Sequence, residues 1–541
     1  MLERELKFHV PARQRAGLRA HLRKLGAKAI DLHARYYDSR DQALARHGIA
    51  LRIRREGDVW VQTMKTPGPD ELSRIEWNHP RPDPSLDLSV YDGTHVAELL
   101  ASVAGRLRCR YITQVTRLKK VVPTASGTAE LAYDEGVIMA GGISLPIHEL
   151  ELEGVEGEAA DLFEVSREWL QRYRLILELR SKAARGDALA ELAGEQALET
   201  AWDPDAITQG GHKPRVRAPG PRQVERLAAP VRAGVPSLTP EIGLRDAYLA
   251  CANDCMSQIL RNTSFLAGVD GMKPERGQRI EYVHQIRVGI RRLRTCWKLF
   301  KGVAEPDSDL QAQLTEHFRA LGQARDHDVI QTEVLPRLIQ AGMPPDTAQA
   351  TIETSAGSES RSQLAASPEF QLPLLGLLEH LVLYGDAREQ KGGGKPAART
   401  LYKRLNAWLD RIRLQSANFL EADWDTRHLI RKRIKRLRYG MEFTQGLLDT
   451  QRVAPLRNAL VSAQKSLGQL NDLYVAAEYY RGAGARHPSA MFALGWLAAT
   501  QDHEARASAT ALQKLAEAGH FHAASAKRAR RPGRLKPSIA Q

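Results

Sequence analysis

The segment ERELK, which opens at residue 3, constrains the fold more than any other feature of the chain. Side chains of an extended strand alternate between faces, so Glu3, Glu5 and Lys7 share one face. An ordinary buried sheet surface does not tolerate two carboxylates and an ammonium. The alternation recurs at Arg52 and Arg54 in LRIRR, at Arg117 and Lys119 in TRLKK, and at Glu149, Glu151 and Glu153 in HELELEG. One such strand is commonly the solvated side of a sheet. Four of them, carrying both signs, point to a charged sheet face that lines a site for a polyanion and a metal.

The chain has 541 residues, enough for at least two domains. No run approaches the roughly 18 apolar residues of a membrane helix. The N-terminal segment enters a charged strand without an apolar signal core, which predicts a cytoplasmic protein with no membrane partner. Its four cysteines, Cys109, Cys251, Cys255 and Cys296, form no CxxC pair and no disulfide framework. The formal net charge of +14 is unevenly placed. Residues 1–200 hold 29 basic and 30 acidic side chains, leaving 49 basic against 34 acidic beyond them. The second part therefore calls for a polyanionic partner: nucleic acid, a membrane surface or polyphosphate.

Alternating segments at Glu3–Val10, Ala50–Arg55, Val59–Lys65, Ile75–His79, Val115–Val122, Ala129–Tyr133 and His148–Leu152 predict strands, punctuated by TPGPDE and AGGISLP. Helical spacing appears at Gln14–Leu25, His95–Ala104 and Ala159–Tyr173. Residues 1–200 thus read as an antiparallel α+β domain, with a closed barrel as one form of it. Residues 201–240 are rich in Pro, Gly and basic residues and read as a linker. Residues 241–520 are helical nearly throughout, in two halves (241–390 and 397–520) joined by KGGGKP, and 521–541 read as a basic disordered tail.

The helical part contains an internal repeat. HQIRVGIRRLR, from His284, matches HLIRKRIKRLR, from His428, with basic residues three, seven, eight and ten positions after each histidine. Leu321-Gly322…Arg325-Asp326 is answered by Leu467-Gly468…Asn471-Asp472. At about 100° per residue, His284, Arg287, Arg291 and Arg294 fall within an arc of roughly 80°. Ile286, Ile290, Leu293 and Trp297 occupy another face, as do Ile430, Ile434, Leu437 and Met441 in the second copy. Neither basic segment contains an acid, whereas a solvated helix face normally mixes signs. Guanidinium groups match phosphate oxygens bidentately, so His284, Arg287, Arg291, Arg292, Arg294, His428, Arg431, Lys435, Arg436 and Arg438 are expected to bind inorganic polyphosphate. Nucleic acid is the weaker reading, because no aromatic residues interleave these helices for base stacking and no zinc-finger or RRM pattern occurs.

Residues 1–200 resemble a CYTH domain of the triphosphate tunnel metalloenzymes, through ExExK (Glu3, Glu5, Lys7), YYDSRD, GIALRIRREG, TMK, SRIE, TRLKK, AELAYDEG, HELELE and SKAARG. Residues 241–520 are similar to a CHAD domain through the two His-headed basic segments. The tandem is similar to bacterial inorganic triphosphatases. The resemblance implies an antiparallel eight-stranded tunnel barrel holding triphosphate and a divalent metal. It also implies an all-α domain of two helical-bundle repeats that binds long-chain inorganic polyphosphate. Ser39 stands where the first family often has Thr, and Asn471 breaks the equivalence with Arg325.

Carried over by position, Lys7, Arg52, Arg54, Lys65, Arg74, Arg117, Lys119 and Lys182 would cradle the triphosphate. Glu3, Glu5, Glu149, Glu151 and Glu153 would hold Mg2+ or Mn2+, which prefer oxygen ligands. Glu76, Glu130 and Asp134 are secondary candidates. Glu5, Lys7, Arg52 and Lys65 form the expected catalytic group. The expected reaction is metal-dependent hydrolysis of tripolyphosphate to diphosphate and phosphate, in the cytoplasm and in association with polyphosphate granules. The alternatives are a non-catalytic polyphosphate-binding scaffold, or a tunnel enzyme acting on nucleotide or thiamine triphosphates, adenylate cyclase included.

Overall fold

The computed structural model describes residues 2–68, 70–194, 217–271, 274–343, 357–387, 396–483 and 489–522. The described residues fall into two compact units. The first holds residues 1–231, 259–286 and 358–387, and the second holds 232–258, 287–357 and 388–541. Most of KGGGKP, much of the expected linker and nearly all of the expected tail lie outside the described residues.

The first unit is built on nine antiparallel strands: β1 (Leu2–His9), β2 (Lys28–Asp38), β3 (Ala50–Glu56), β4 (Val59–Pro67), β5 (Ser73–Arg81), β6 (Arg108–Pro123), β7 (Thr128–Ala140), β8 (Ile143–Glu156) and β9 (Ile176–Leu177). Their order is β5-β4-β3-β2-β6-β7-β8-β1-β9, and β1 also pairs with β5. That last pairing closes an eight-stranded barrel, to which β9 adds two residues against β1. Helices α1 (Arg15–Lys24), α2 (Ala97–Val103), α3 (Ala159–Tyr173) and α4 (Lys182–Ala193) accompany it.

The strand pattern turns the usual barrel inside out. On β1, Leu6 and Phe8 are fully buried while Glu3, Glu5 and Lys7 line the lumen. On β3, Leu51 and Ile53 are buried while Arg52 and Arg54 face inward. The period of two thus sorts apolar side chains outward, where amphipathic α1 and α3 bury Leu18, Leu22, Leu162, Phe163 and Leu170. α4 starts at Ser181, whose hydroxyl accepts from Ala184 N at 3.1 Å and caps the helix. Leu189 and Ala190 of α4 join a buried cluster with Tyr36, Tyr111 and Val115. Gly186 makes that approach possible: a Cβ there would lie 2.1 Å from the Tyr111 ring.

The remaining helices are α5 (Pro221–Leu227), α6 (Leu244–Leu266), α7 (Arg276–Leu299), α8 (Ser308–Val329), α9 (Leu335–Gln340), α10 (Gly357–Ala365), α11 (Pro368–Asp386), α12 (Ala397–Ser416), α13 (Trp424–Phe443), α14 (Thr450–Ala483) and α15 (Ser489–Glu517). α11 belongs to the barrel unit. Its Gln371 side-chain Oε1 accepts from Leu177 N at 3.0 Å, and Glu379 pairs with Arg167 at 2.5 Å. α7 and α13 carry the basic repeat, and their expected apolar faces are buried. No helix of the described residues is long and apolar enough to cross a membrane.

Candidate active site and basic helical face

The barrel encloses a cavity of about 450 Å³. It is lined by eight cations (Lys7, Arg52, Arg54, Lys65, Arg74, Arg117, Lys119, Lys182) and eight carboxyl groups (Glu3, Glu5, Glu76, Glu130, Asp134, Glu151, Glu153, Asp187). All eight cations expected from sequence are therefore brought together. Of the five expected metal ligands, Glu3, Glu5, Glu151 and Glu153 line the cavity, and Glu149 lies behind the wall, 2% exposed.

Strand register explains how the carboxylates divide. Glu5 is paired with Glu153 across β1 and β8, and Glu153 with Glu130 across β8 and β7. This row sets three carboxylates side by side on the lumen face, where like charges directly opposite repel. Burial pushes Glu153 up to about 7, with further pressure from Glu5 and Glu130. Burial, with a hydrogen bond to Glu76, pushes Glu3 up to about 8. Glu76 behaves oppositely: although it is buried, the hydrogen bond to Glu3 and the charges of Lys65 and Arg52 bring it down to about 2. Lys65 pairs with Glu76 and sits 3.2 Å from Glu3.

A second carboxylate group, Asp134, Glu149 and Glu151, offers oxygens within 4.8 Å of one another. An ammonium already lies among them: Lys182 Nζ is 2.6 Å from Asp134, 2.9 Å from Glu151 and in contact with Glu149. Arg117 adds a two-pronged pair to Asp134, both contacts 2.7 Å, and reaches Glu151 at 2.6 Å. These carboxylates hold Lys182 well above the usual lysine range despite its burial. The group is therefore compensated by protein cations. The lumen row is paired as well, Glu5 with Lys7, Glu3 and Glu76 with Lys65, and Glu130 with Lys119, while Glu3 and Glu153 are the two lumen carboxyls that burial pushes up.

The other lumen cations are held by short local pairs. Arg52 donates to the Tyr36 hydroxyl at 3.2 Å, Arg54 Nε to Glu56 at 2.6 Å and Arg74 to the Ser73 carbonyl at 2.7 Å. Lys119 is exposed and pairs with Glu130 at 2.6 Å, and Lys7 pairs with Glu5. Sequence reasoning missed Tyr36, Asp187 and Arg185. Arg185 stands one helical turn after Lys182, a spacing that would have placed it on the same face.

In the second unit, Arg287, Arg291 and Arg294 of α7 gather around one ring, with guanidinium carbons 4.3, 5.3 and 6.0 Å from the centroid of Phe318. Arg287 also donates to the Phe318 carbonyl at 2.7 Å, and a Cβ at Gly322 would lie 2.5 Å from its guanidinium and displace it. Arg431 and Lys435 of α13 belong to the same cationic cluster. Burial and the charges of Arg431, Arg291 and Arg287 pull the Lys435 ammonium down to about 6, against the opposing charge of Asp472.

His428 shares a hydrogen bond of 3.2 Å with Asn471, so the second LGxxxD-type segment faces its histidine; the Arg325 side chain is not among those described. His284 is half-buried one turn before Arg287 on α7. Arg436 lies 5.9 Å from the Trp408 ring and Arg438 pairs with Glu442 at 2.7 Å. Arg292 departs from the expected row. It is fully buried, pairs with Asp254 at 2.7 Å and donates to Gln258 at 2.9 Å, so its charge is spent inside the bundle.

Comparison with known proteins gives matches to both resemblances. A CYTH domain model matches residues 1–186 and a CHAD domain model matches residues 252–481. An inorganic triphosphatase of Haemophilus influenzae is 30% identical over 175 residues, covering 31% of this chain and 47% of that protein, so the chain spans about half the length of the curated relative it matches. The solved CHAD domain of Ricinus communis is 27% identical with a TM-score of 0.46, covering 55% of this chain and 99% of that one. A protein from Hippeastrum with a dominant triphosphatase activity is 17% identical with a TM-score of 0.25, covering 39% and 98%.

Proposed function

Because the chain carries a CYTH domain followed by a CHAD domain, we propose that its barrel is a metal-dependent triphosphatase that cleaves tripolyphosphate to diphosphate and phosphate. The observation that carries this reading is the balance of the lumen, eight cations against eight carboxyl groups. A pure anion-binding pocket has no use for the acids, which repel its ligand. A polyanion that enters together with divalent cations needs both sets.

In this reading Arg52, Arg54, Arg117, Lys65 and Lys182 take up the charge of the phosphoryl oxygens, and Lys7 and Arg74 orient the chain of phosphates along the wall. Glu3, Glu5 and Glu153 hold the metal, with Glu76 and Glu130 adjacent. Bound Mg2+ or Mn2+ supplies Lewis-acid polarisation of the terminal phosphoryl group and a more acidic water. Arg52 stays charged throughout, since the Tyr36 hydroxyl and Glu76 stabilise its cation.

The helical unit binds long-chain inorganic polyphosphate in this proposal, through Arg287, Arg291, Arg294, Arg431 and Lys435. The gathering of these cations, which adds to burial in pulling the Lys435 ammonium down to about 6, supports a polyanion as their ligand. The experiment is phosphate release from tripolyphosphate by the full-length protein with Mg2+, with Mn2+ and with EDTA. Release with metal and none with EDTA is expected; a folded protein that releases no phosphate with either metal overturns the hydrolase reading.

A further inference from the structure

Behind the lumen wall at Lys182 runs a chain of buried charges that the hydrolytic reading leaves unused. Lys182 touches Glu149, and Glu149 accepts from Arg185 Nη1 at 2.9 Å. Arg185 Nη2 donates to Asp270 Oδ1 at 2.5 Å, and the second Asp270 oxygen accepts from Arg180 at 3.0 Å. Arg180 in turn holds Glu178 at 2.6 Å. Arg185 and Asp270 are only 3% and 5% exposed, so these pairs are shielded from water and geometry decides their strength.

Asp270 reaches this wall from far along the chain. It lies 85 positions after Arg185, within the stretch matched by the CHAD model, yet it packs in the barrel's unit. Its backbone adopts φ +63°, a left-handed conformation uncommon outside glycine and tolerated by Asp and Asn. The turn Val269–Gly271 thus presents one carboxylate to two guanidinium groups. Without that carboxylate Arg185 keeps Glu149 as its acidic partner among the described residues, the same carboxylate whose other oxygen holds Lys182.

We propose that Asp270 is a positioning residue for hydrolysis. By holding Arg185 from behind, it fixes Glu149 and keeps the Lys182 ammonium directed into the lumen. Turnover by the barrel then depends on a residue outside the CYTH match. The inference rests on the reading of Lys182 as a substrate ligand.

The test uses Asp270→Asn in the full-length chain, because Asn keeps the shape and suits the left-handed backbone while removing the charge. Glu379→Ala, which deletes the Arg167 pair elsewhere in the same unit, is the structural control. D270N is expected to raise KM for tripolyphosphate roughly 10-fold or more with a smaller change in kcat, as loss of an outer partner does to a tuned site. E379A leaves KM unchanged. In the D270N/K182A double variant KM equals that of K182A, since one substitution acts through the other. A KM for D270N within twofold of wild type, or effects that multiply in the double variant, overturns the proposal. Should D270N melt far below E379A, Arg185→Lys reads the same link, because a lysine cannot bridge both carboxylates; an unchanged KM there also overturns it. If K182A itself leaves KM unaltered, the cradle reading fails first and takes this inference with it. If K182A weakens binding and D270N does not, the inference alone fails.

Discussion

Glu153 stands between Glu5 and Glu130 across neighbouring strands, a placement that repulsion alone would disfavour. Each of these side chains lines the cavity, so the cost is concentrated where a cation can relieve it. At pH 8, above the value of about 7 to which burial pushes Glu153, Glu153→Gln removes one of the repelling charges. In EDTA it is expected to melt about 2–4 °C above wild type, on the order of 1 kcal/mol of relief. Its affinity for Mg2+ falls at the same time, by roughly 10-fold or more. Calorimetry with EDTA and with Mg2+ reads both effects, and a variant that melts lower in EDTA removes repulsion as the explanation. Glu5→Gln is expected to lower metal-dependent phosphate release by about 100-fold or more, since several kcal/mol of charge stabilisation passes through the metal. Near-normal release with Mg2+ would strike Glu5 from the ligand set.

At the scale of elements, the period-two charge pattern made the barrel readable from sequence, because β1, β3, β6 and β8 put formal charges on the inward face. β2 was not recognised: its inward residues Leu32, Ala34 and Tyr36 are apolar or aromatic, and its outward Arg35 hides the alternation. The repeat spacing located α7 and α13 and their buried faces, yet it could not separate Arg292 from its neighbours. The residues that bury Arg292, Asp254 and Gln258, sit on α6, far outside the repeated segment. Asp270 had no local signal at all, since its role follows from tertiary contact with Arg185. Lys435 of α13 gives a prediction at this scale. Its ammonium is lowered to about 6 by burial and neighbouring arginines, while the unfolded chain keeps an ordinary lysine. Between that value and the ordinary lysine range the unfolded state binds the extra proton, so this group's contribution to stability rises as pH rises through the window. A bound polyanion restores the charged form. Polyphosphate binding at pH 7 to 8 therefore takes up a proton and tightens as pH falls toward 6. Titration calorimetry in buffers of different ionisation enthalpy measures that uptake; Lys435→Met is expected to abolish it, and equal heats in all buffers for wild type would refute it.

For the molecule as a whole, charge of one sign and charge of both signs serve two different tasks. The lumen balances its cations with carboxylates, and in the proposed reading it takes a short anion together with metal. The cationic cluster on α7 and α13, where Asp472 opposes the lowering of Lys435, is assigned in that reading to an anion without metal. Salt separates the two. Displacement of counterions by a long polyanion makes affinity fall steeply with ionic strength, and each cation removed flattens the dependence by about one unit of logarithmic slope. The double substitution Arg291→Ala/Arg431→Ala is thus expected to weaken long-chain polyphosphate binding at every salt concentration and to reduce the slope by about two. Hydrolysis of tripolyphosphate in the same preparation stays within twofold of wild type, because neither arginine lines the barrel. Glu5→Gln does the reverse: it loses hydrolysis and retains the full salt-dependent binding. If the arginine pair also lowers hydrolysis of the short substrate, the helical cluster supplies substrate to the barrel or controls it. The assignment of separate anions to the two sites then has to be replaced by a shared path.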